Sequence, residues 1–251
     1  MGDVATRGLK SVIARKNAGG GLVPSDLSGY ILGLKGSLDT YTDAGTTPAT
    51  DEGLVYQWSD QSGAANHALQ TVSGTRPSLE VTGIDTKDSV DFIRATSQYL
   101  ESTASGSSTE FVIIAVVRLD ILSYNSAILA SDTSGGISLQ INNSGSVLLV
   151  KSGVANMLVT TAGVITAGTD YIIAVSRDSS KNCTIWVNGV TYTGTDAQTI
   201  TAGKTSQVGG RNSGSDLWDG LISELHSYSA YSSDADVESV MASLNAEYSI
   251  Y

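Results

Sequence analysis

The sequence predicts an all-β protein built as a sandwich or a barrel, and three observations support this prediction. Charged residues are only 16% of the chain, with 27 glycines and 3 prolines among 251 residues, a composition that suits many short strands joined by turns. Short apolar runs recur at regular spacing between residues 30 and 228, as in β-sandwiches. Helical spacing is convincing only near the C-terminus. We expect one large domain over residues 28–251.

The strand patterns differ in how they expose their faces. Phe111 to Val117 is apolar on both faces, which predicts a strand buried on both sides. Ile137 to Ile141 alternates apolar and polar residues, which predicts one solvated face. Cys183 to Tyr192 contains Asn188-Gly189 between strand-like runs, a strong hairpin signal.

The C-terminal segment predicts a helix docked on the sandwich. Ser233 can cap its N-terminus, and acidic residues in the first turn favour the helix dipole. Apolar side chains then follow at helical spacing, at Val237, Val240, Met241, Leu244 and Tyr248.

Residues 1–27 are predicted to be a separate basic arm with a glycine-rich linker. Residues 1–21 carry four basic residues and one acid, a net charge of 4 − 1 = +3, so the remainder carries −11 − 3 = −14. Two interpretations remain open, a disordered terminus and an amphipathic arm that orders on a partner. In the second, the docking residues are Arg7, Leu9, Lys10, Val12, Ile13, Arg15 and Lys16.

Composition excludes several classes of protein. An acidic body repels phosphate and makes nucleic acid an unexpected partner. The single cysteine, Cys183, permits no intrachain disulfide. No apolar run reaches transmembrane length. Since the N-terminus shows no signal-peptide pattern, we expect folding in a cytoplasm and no membrane insertion.

One polar stretch, Trp58-Ser59-Asp60-Gln61-Ser62-Gly63, organises the first part of the chain. Asp60 and Ser62 can bond their own backbone, and Gly63 can adopt a positive φ. We interpret this stretch as a loop shaped by Asp60, Ser62 and Gly63 and anchored by Trp58.

Several motifs occur in an order that resembles one known family. They are WSDQSG (58–63) with Asn66 and Ala68, Arg76-Pro77, VDF (90–92), QYL (98–100), YIIAVSRD (171–178), TIWVNG (184–189), VGG (208–210) and WDGLISELHSY (218–228). Together they resemble the laminin-G-like members of the concanavalin A-like lectin/glucanase superfamily. The resemblance covers residues 28–251 and implies a jelly roll of two curved antiparallel sheets. Domains of this family bind sugar, bind protein or only fill space, so fold does not settle function.

The resemblance raises enzyme activity and calcium as alternatives. Glycoside hydrolysis needs two carboxylates across the scissile bond, and laminarinase-type relatives place acids at i, i+2 and i+4 of one strand. The only such series, 234–238, opens the predicted helix, so we expect no enzyme activity and no catalytic residues. Relatives often hold calcium with aspartates, for which Asp60, Asp91 and Asp219 are the candidates. Turn aspartates also cap backbone, so no cofactor is firmly implied.

Aromatic residues suggest a sugar-binding surface. Trp186 lies on the hairpin face opposite Ile185, and an outward indole could stack on a sugar. The predicted glycan-binding residues are Trp186, Asn188, Tyr192 and Trp218. The alternative is that a loop or helix of the same domain covers the tryptophans.

These observations lead to a hypothesis about a virion. A lectin-like domain without a secretion signal, carrying a basic arm, suits a bacteriophage structural protein such as a head decoration, head fibre or tail-associated subunit. Its partners would be other virion proteins, through the arm, and host-surface glycans, with homo-oligomers permitted. The alternatives are a free carbohydrate-binding module or glycoside-acting enzyme, and a spacer without ligand.

Overall fold

A computed structural model describes residues 20–104, 109–131, 134–200, 206–211 and 215–251. Residues 1–19 of the predicted arm lie outside the described residues. All seven docking residues assigned to the arm are therefore outside them too, namely Arg7, Leu9, Lys10, Val12, Ile13, Arg15 and Lys16.

The described chain forms seventeen strands and one α-helix. In chain order these are β1 (Tyr30–Lys35), β2 (Thr40–Tyr41), β3 (Gln57–Trp58), β4 (Ala68–Leu69), β5 (Ser78–Ile84), β6 (Lys87–Phe92), β7 (Leu100–Ser102), β8 (Phe111–Leu119), β9 (Ser126–Ser131), β10 (Ile137–Ile141), β11 (Val147–Lys151), β12 (Ala155–Val159), β13 (Asp170–Arg177), β14 (Asn182–Val187), β15 (Val190–Thr195), β16 (Ser206–Val208), β17 (Gly220–Tyr228) and α1 (Asp234–Tyr248). Short 3-10 turns occupy Pro24–Asp26, Ser73–Thr75 and Arg94–Thr96.

The strands form two antiparallel sheets, which confirms the predicted sandwich. The eight-stranded sheet has the order β15-β14-β13-β8-β17-β6-β5, and β1 also pairs with β17. The nine-stranded sheet has the order β12-β11-β10-β9-β16-β7-β4-β3-β2. Strands distant in sequence are neighbours in both sheets, as the jelly-roll topology requires.

The interior core lies between the two sheets, and a second apolar cluster lies outside the eight-stranded sheet under α1. Strand β8 serves both, since Ile113 belongs to the interior core and Ile114 to the outer cluster. This confirms the prediction of a strand buried on both faces. The hairpin is also confirmed, because Asn188 and Gly189 have φ of 47° and 78°, as a tight two-residue turn requires.

Helix α1 begins and packs as its sequence predicts. Ser233 Oγ accepts a hydrogen bond from Asp236 N at 3.2 Å, which satisfies one free N–H group of the first turn. The five apolar residues at helical spacing are all buried. They cover the outer face of the eight-stranded sheet.

Residues 20–28 enter the domain along α1. Leu22 N donates to Ser239 Oγ at 2.9 Å, and Tyr228 Oη donates to Pro24 O at 2.8 Å. Leu27 is buried in the outer cluster. The chain therefore reaches the sandwich on the outer face of the eight-stranded sheet.

Within the described residues, no helix combines the length and the apolar character that crossing a bilayer would need.

Candidate functional site

The outer face of the nine-stranded sheet carries a row of side chains in register across six strands. Gln57 pairs with Leu69, Leu69 with Glu101, and Glu101 with Gln207. Gln207 continues to Ala130, which pairs with Ser138. Paired residues share a face, and their strand neighbours Trp58, Leu100, Val208 and Leu139 belong to the interior core. We call this set the outer row: Gln57, Leu69, Glu101, Gln207, Ala130 and Ser138.

A groove of about 440 Å³ opens on the outer row where β4 meets β7. Its lining combines apolar, aromatic, amide, hydroxyl and carboxylate groups, supplied by Leu69, Gln70, Thr71, Val72, Tyr99, Glu101, Ser102 and Thr103. Other described depressions of 170–350 Å³ have a more polar lining. An apolar surface with a few placed polar groups is the usual form of a small-ligand site.

The groove has an apolar side and a polar side. Tyr99 and Leu69 are half-buried, and Val72 is 60% exposed. Glu101 is exposed and accepts a hydrogen bond from Gln207 Nε2 at 3.2 Å. The amide of the buried Gln207 thus bonds one carboxylate oxygen of a residue that lines the groove.

The main chain around the groove is held by buried side chains. Gln70 is 5% exposed; its Nε2 donates to Tyr99 O at 3.0 Å, and its Oε1 accepts from Val72 N at 3.1 Å. Arg76 Nε donates to Gln70 O at 2.9 Å, and the guanidinium lies 4.8 Å from the ring centre of Tyr56. These contacts fix the positions of Tyr99 and Val72 before any ligand binds, which lowers the cost of binding.

Tyr99, Glu101 and Gln207 are not among the site residues predicted from the sequence. The alternation at 98–101, where Leu100 points inward, could have placed Tyr99 and Glu101 on the outer face. Gln207 comes to Glu101 from 106 residues away, and no local pattern predicts that pairing.

The prediction of a sugar-binding surface at Trp186 and Trp218 is wrong, because both tryptophans are buried. Trp186 is fully buried in the cluster under α1, and its Nε1 donates to Glu238 Oε1 at 3.2 Å. Trp218 is fully buried in the interior core on the other side of the eight-stranded sheet. Neither indole can stack on a sugar in this fold, and the alternative that the domain itself covers them is confirmed.

The other two predicted glycan residues also serve the fold. Asn188 Oδ1 accepts a hydrogen bond from Ile172 N at 2.8 Å, which ties the hairpin turn to β13. Tyr192 is half-buried and packs against the interior core. The four residues Trp186, Asn188, Tyr192 and Trp218 therefore do not form one exposed surface.

The interpretation of the WSDQSG stretch as a structural loop is confirmed. Asp60 Oδ1 accepts from Gly33 N and Ser62 N, each at 2.8 Å, and Oδ2 accepts from Ser62 Oγ at 2.7 Å and Asn66 N at 2.9 Å. Trp58 is fully buried and donates to Lys35 O at 2.9 Å. Gly63 has φ of 84°. The loop is thereby fastened to β1.

The residues proposed for calcium do not fit one site in the described structure. Asp60 bonds Gly33, which pairs with His226, whereas Asp91 pairs with Leu221. Five residues of extended strand separate those partners, roughly 16 Å. No three described His, Cys, Asp or Glu residues form a group that could hold a metal ion.

Asp91 and Asp219 lie in an acidic region of their own. Burial raises the pKa of Asp91 to about 6, and the negative charges of Asp120, Glu80 and Asp219 add to that shift. Burial also raises the pKa of Asp219, against the opposing effect of Arg94. These carboxyls repel one another, and Arg94 offsets the rise in pKa only in part at Asp219.

A buried ionic network lies between β17, β1 and α1. Glu224 is 2% exposed; it contacts Lys35 Nζ at 2.7 Å, His226 Nε2 at 2.7 Å and Tyr248 Oη at 2.9 Å. Tyr30 Oη bonds His226 Nδ1 at 2.9 Å. Burial by itself raises the pKa of Glu224, but His226 and Lys35 outweigh it and hold the pKa at about 2. His226 is buried in this network, covered by α1 and β1.

A comparison with protein families shows which family the chain matches. Residues 94–238 match a laminin-G family model described as the concanavalin A-like lectin/glucanases superfamily. The matched range covers more than half of the chain and includes the outer-row residues from Glu101 onward. A comparison with curated proteins found no match.

Solved structures with similar folds include two toxin domains and a sialidase. The binding domain of Paraclostridial mosquitocidal protein 1 superposes with a TM-score of 0.60 at 12% identity, over 87% of this chain and 52% of that one. The botulinum neurotoxin type G receptor-binding domain gives 0.58 at 13%, over 86% and 52%. Trypanosoma rangeli sialidase gives 0.52 at 11%, over 86% and 33%. The chain thus spans about half of each toxin chain and a third of the sialidase, and these likenesses show a common lectin-like sandwich.

Proposed function

The chain belongs to the concanavalin A-like lectin/glucanases superfamily, and from that premise we propose that it is a non-catalytic glycan-binding domain displayed on a virion. The observation that carries the proposal is the position of two features on opposite faces. The groove beside Tyr99 lies outside the nine-stranded sheet, and residues 20–28 enter outside the eight-stranded sheet.

The groove supports glycan binding through its chemistry. A tyrosine ring and apolar side chains can pack on the C–H face of a sugar. The Glu101 carboxylate and the hydroxyls of Thr71 and Thr103 can bond sugar hydroxyls around it. Two of the similar structures are a binding domain and a receptor-binding domain.

The groove and residues 20–28 lie on opposite outer faces of the sandwich, which supports display of the domain on a particle. A basic segment of net charge +3 precedes the glycines, and the remaining chain carries −14. A protein held by residues 1–19 at the outer face of the eight-stranded sheet would present the groove away from its attachment. This arrangement suits a decoration, fibre or tail-associated subunit made in the host cytoplasm, whose partners are other virion proteins on one side and host-surface glycans on the other.

The described acids support a non-catalytic role. Glycosidases need two carboxyls flanking the bond they cleave, and the described lining of the groove contains one, Glu101. Glu224 is enclosed beneath α1 with Lys35 and His226. A soluble free carbohydrate-binding module would share this groove but would not need the basic segment.

Glycan-array binding of the wild type and Tyr99→Ala tests the binding role. We expect the wild type to bind at least one glycan and Tyr99→Ala to bind it about tenfold more weakly. A packed aromatic ring contributes about 0.5–1.5 kcal/mol beyond the area it buries, and about 1.4 kcal/mol corresponds to tenfold in affinity. Tyr231→Ala removes a partly exposed tyrosine on the α1 side and should bind as the wild type does. Equal loss in both variants, or no binding by the wild type, would overturn the proposal.

Deletion of residues 1–19 tests display. The cut spares Leu22, Pro24 and Leu27, which contact the sandwich, so the thermal midpoint should stay unchanged. In a particle-reconstitution assay, the truncated protein should fail to attach while keeping full glycan binding. Full attachment of the truncated protein would contradict display through the arm.

A further inference from the structure

We propose that the groove on the outer row selects neutral glycans and rejects sialylated ones. This inference rests on the proposed glycan-binding function and adds the chemical class of the ligand.

The described lining of the groove contains one ionisable carboxylate and no cation. Glu101 is exposed and lines the groove. The carboxylate of a sialic acid would meet this like charge at short range, and like charges repel strongly where water is partly excluded. A sialic acid site needs the opposite arrangement, usually an arginine that pairs with the ligand carboxylate.

Three described arginines, none of them in the groove lining, donate to partners within the protein. Arg76 donates to the main-chain oxygens of Gln70 and Thr71 and lies over Tyr56. Arg94 donates to Leu217 O at 3.0 Å. Arg211 pairs with Asp216 at 2.7 Å. None of these three arginines belongs to the described lining of the groove.

The charge of the whole domain acts in the same direction. Beyond residue 21 the chain carries a net charge of −14, from −11 − 3. An anionic ligand approaching such a body is repelled at low ionic strength, and a neutral one is not.

The groove offers positive recognition to a neutral pyranose. The Glu101 carboxylate can accept hydrogen bonds from ring hydroxyls, and charge-assisted bonds of this kind are the stronger ones. Gln207 Nε2 holds one carboxylate oxygen at 3.2 Å and fixes the carboxylate plane. Tyr99 and Leu69 provide the apolar surface beside it.

A glycan array that carries each structure with and without its terminal sialic acid tests this inference. We expect the wild type to bind desialylated members and to bind their sialylated forms at least about tenfold more weakly, a ratio that narrows as salt rises from 50 to 500 mM. Glu101→Gln should weaken neutral binding about fivefold to tenfold and reduce the discrimination. Glu52→Gln, which changes an exposed carboxylate outside the groove lining, should change neither.

The outcomes separate the two proposals. Tighter binding of sialylated forms by the wild type would overturn neutral selection while leaving glycan binding intact. Absence of binding to every member would overturn the glycan-binding function itself and this inference with it. The array is repeated with Lys204→Ala, because this cation lies outside the described residues. The preference for neutral glycans should be the same in the variant and the wild type. A preference for neutral glycans that is seen in Lys204→Ala and not in the wild type would also overturn the inference.

Discussion

Asp91 is a single side chain whose ionised form lowers the stability of the folded domain. Its folded-state pKa is about 6 because it is buried and because Asp120, Glu80 and Asp219 are near. The usual aspartate pKa of 3.8 applies in the unfolded chain. Ionised Asp91 therefore destabilises the folded state, and this cost is absent below pH 3.8, grows between pH 3.8 and 6 and is complete above about pH 6.

Asp91→Asn should therefore stabilise the domain at neutral and basic pH. At pH 8 we expect the free energy of unfolding to rise by about 1–2 kcal/mol, a discounted value for a partly solvated group. At pH 4 the gain should be small. Urea unfolding followed by tryptophan fluorescence measures both. Asp85→Asn, at the exposed β5–β6 turn, should be neutral at both pH values, and an equal gain for Asp91→Asn at pH 4 would contradict the mechanism.

Trp186 shows which residue properties the sequence carries and which it does not. Strand alternation predicted that Trp186 and Ile185 lie on opposite faces of β14, and the structure confirms it. Its exposure did not follow, because α1 begins 48 residues later and covers that face. Strand periodicity gives the direction of a side chain, and the tertiary fold decides what lies in that direction.

Among the elements, α1 is joined to the sheet by a buried ionic network as well as by apolar packing. Glu224 ionises in the folded state with a pKa of about 2, against 4.5 ordinarily. Its contribution to stability is therefore full above about pH 4.5 and is lost as the pH falls toward 2. Partners of a buried charge are left uncompensated when the charge is removed.

Glu224→Gln should lower the free energy of unfolding by about 3 kcal/mol at pH 7, in line with the pKa shift. The difference from the wild type should shrink as the pH falls from 4.5 toward 2. Glu247→Gln, which alters a 38% exposed carboxylate on the same Lys35, should change stability by less than about 0.5 kcal/mol. Chemical unfolding across pH 2.5–7 provides the comparison, and a pH-independent loss in Glu224→Gln would count against the network.

The loop from Trp58 to Gly63 acts as a fastening between β3 and β1. Its aspartate accepts four hydrogen bonds, two of them from main-chain groups outside the loop or at its end, Gly33 N and Asn66 N. Such a carboxylate lowers the energy of an otherwise irregular segment by satisfying buried donors.

Asp60→Ala should therefore destabilise the domain by about 3 kcal/mol or more, because several donors lose their acceptor together. Ser62→Ala removes a hydroxyl that bonds Asp60 and Ala64 N and should cost only about 1 kcal/mol. Thermal unfolding by calorimetry ranks the two variants. Similar small losses in both would mean that Trp58, rather than the carboxylate, holds the loop.

At the scale of the whole molecule, local pattern predicted the elements and family resemblance predicted their arrangement. The two-sided β8, the Asn188-Gly189 hairpin and the capped α1 each follow from residues within one short window. The groove does not, because Leu69 of β4 pairs with Glu101 of β7 across 32 residues and Gln207 reaches Glu101 across 106. Long-range strand pairing is encoded by packing and turn geometry together, and no single window contains it.

The two outer faces of the sandwich have different roles in this account. One is covered by α1 and receives residues 20–28, and the groove opens on the other beside Leu69 and Glu101, whereas Gln207, Ala130 and Ser138 of the outer row are buried. The proposed function therefore requires that the ligand bind on the outer face of the nine-stranded sheet, where the groove opens. The predicted solvated face of Ile137 to Ile141 is wrong, because Ser138 and Gln140 are buried.

Backbone and side-chain amide NMR during titration with an array-selected neutral glycan tests that claim most directly. We expect the shift changes to concentrate on Leu69, Tyr99, Glu101 and the side-chain amide of Gln207, with none at the Asn188-Gly189 turn. Saturating changes confined to that turn, or to the surface formed by α1 and residues 20–28, would contradict the account.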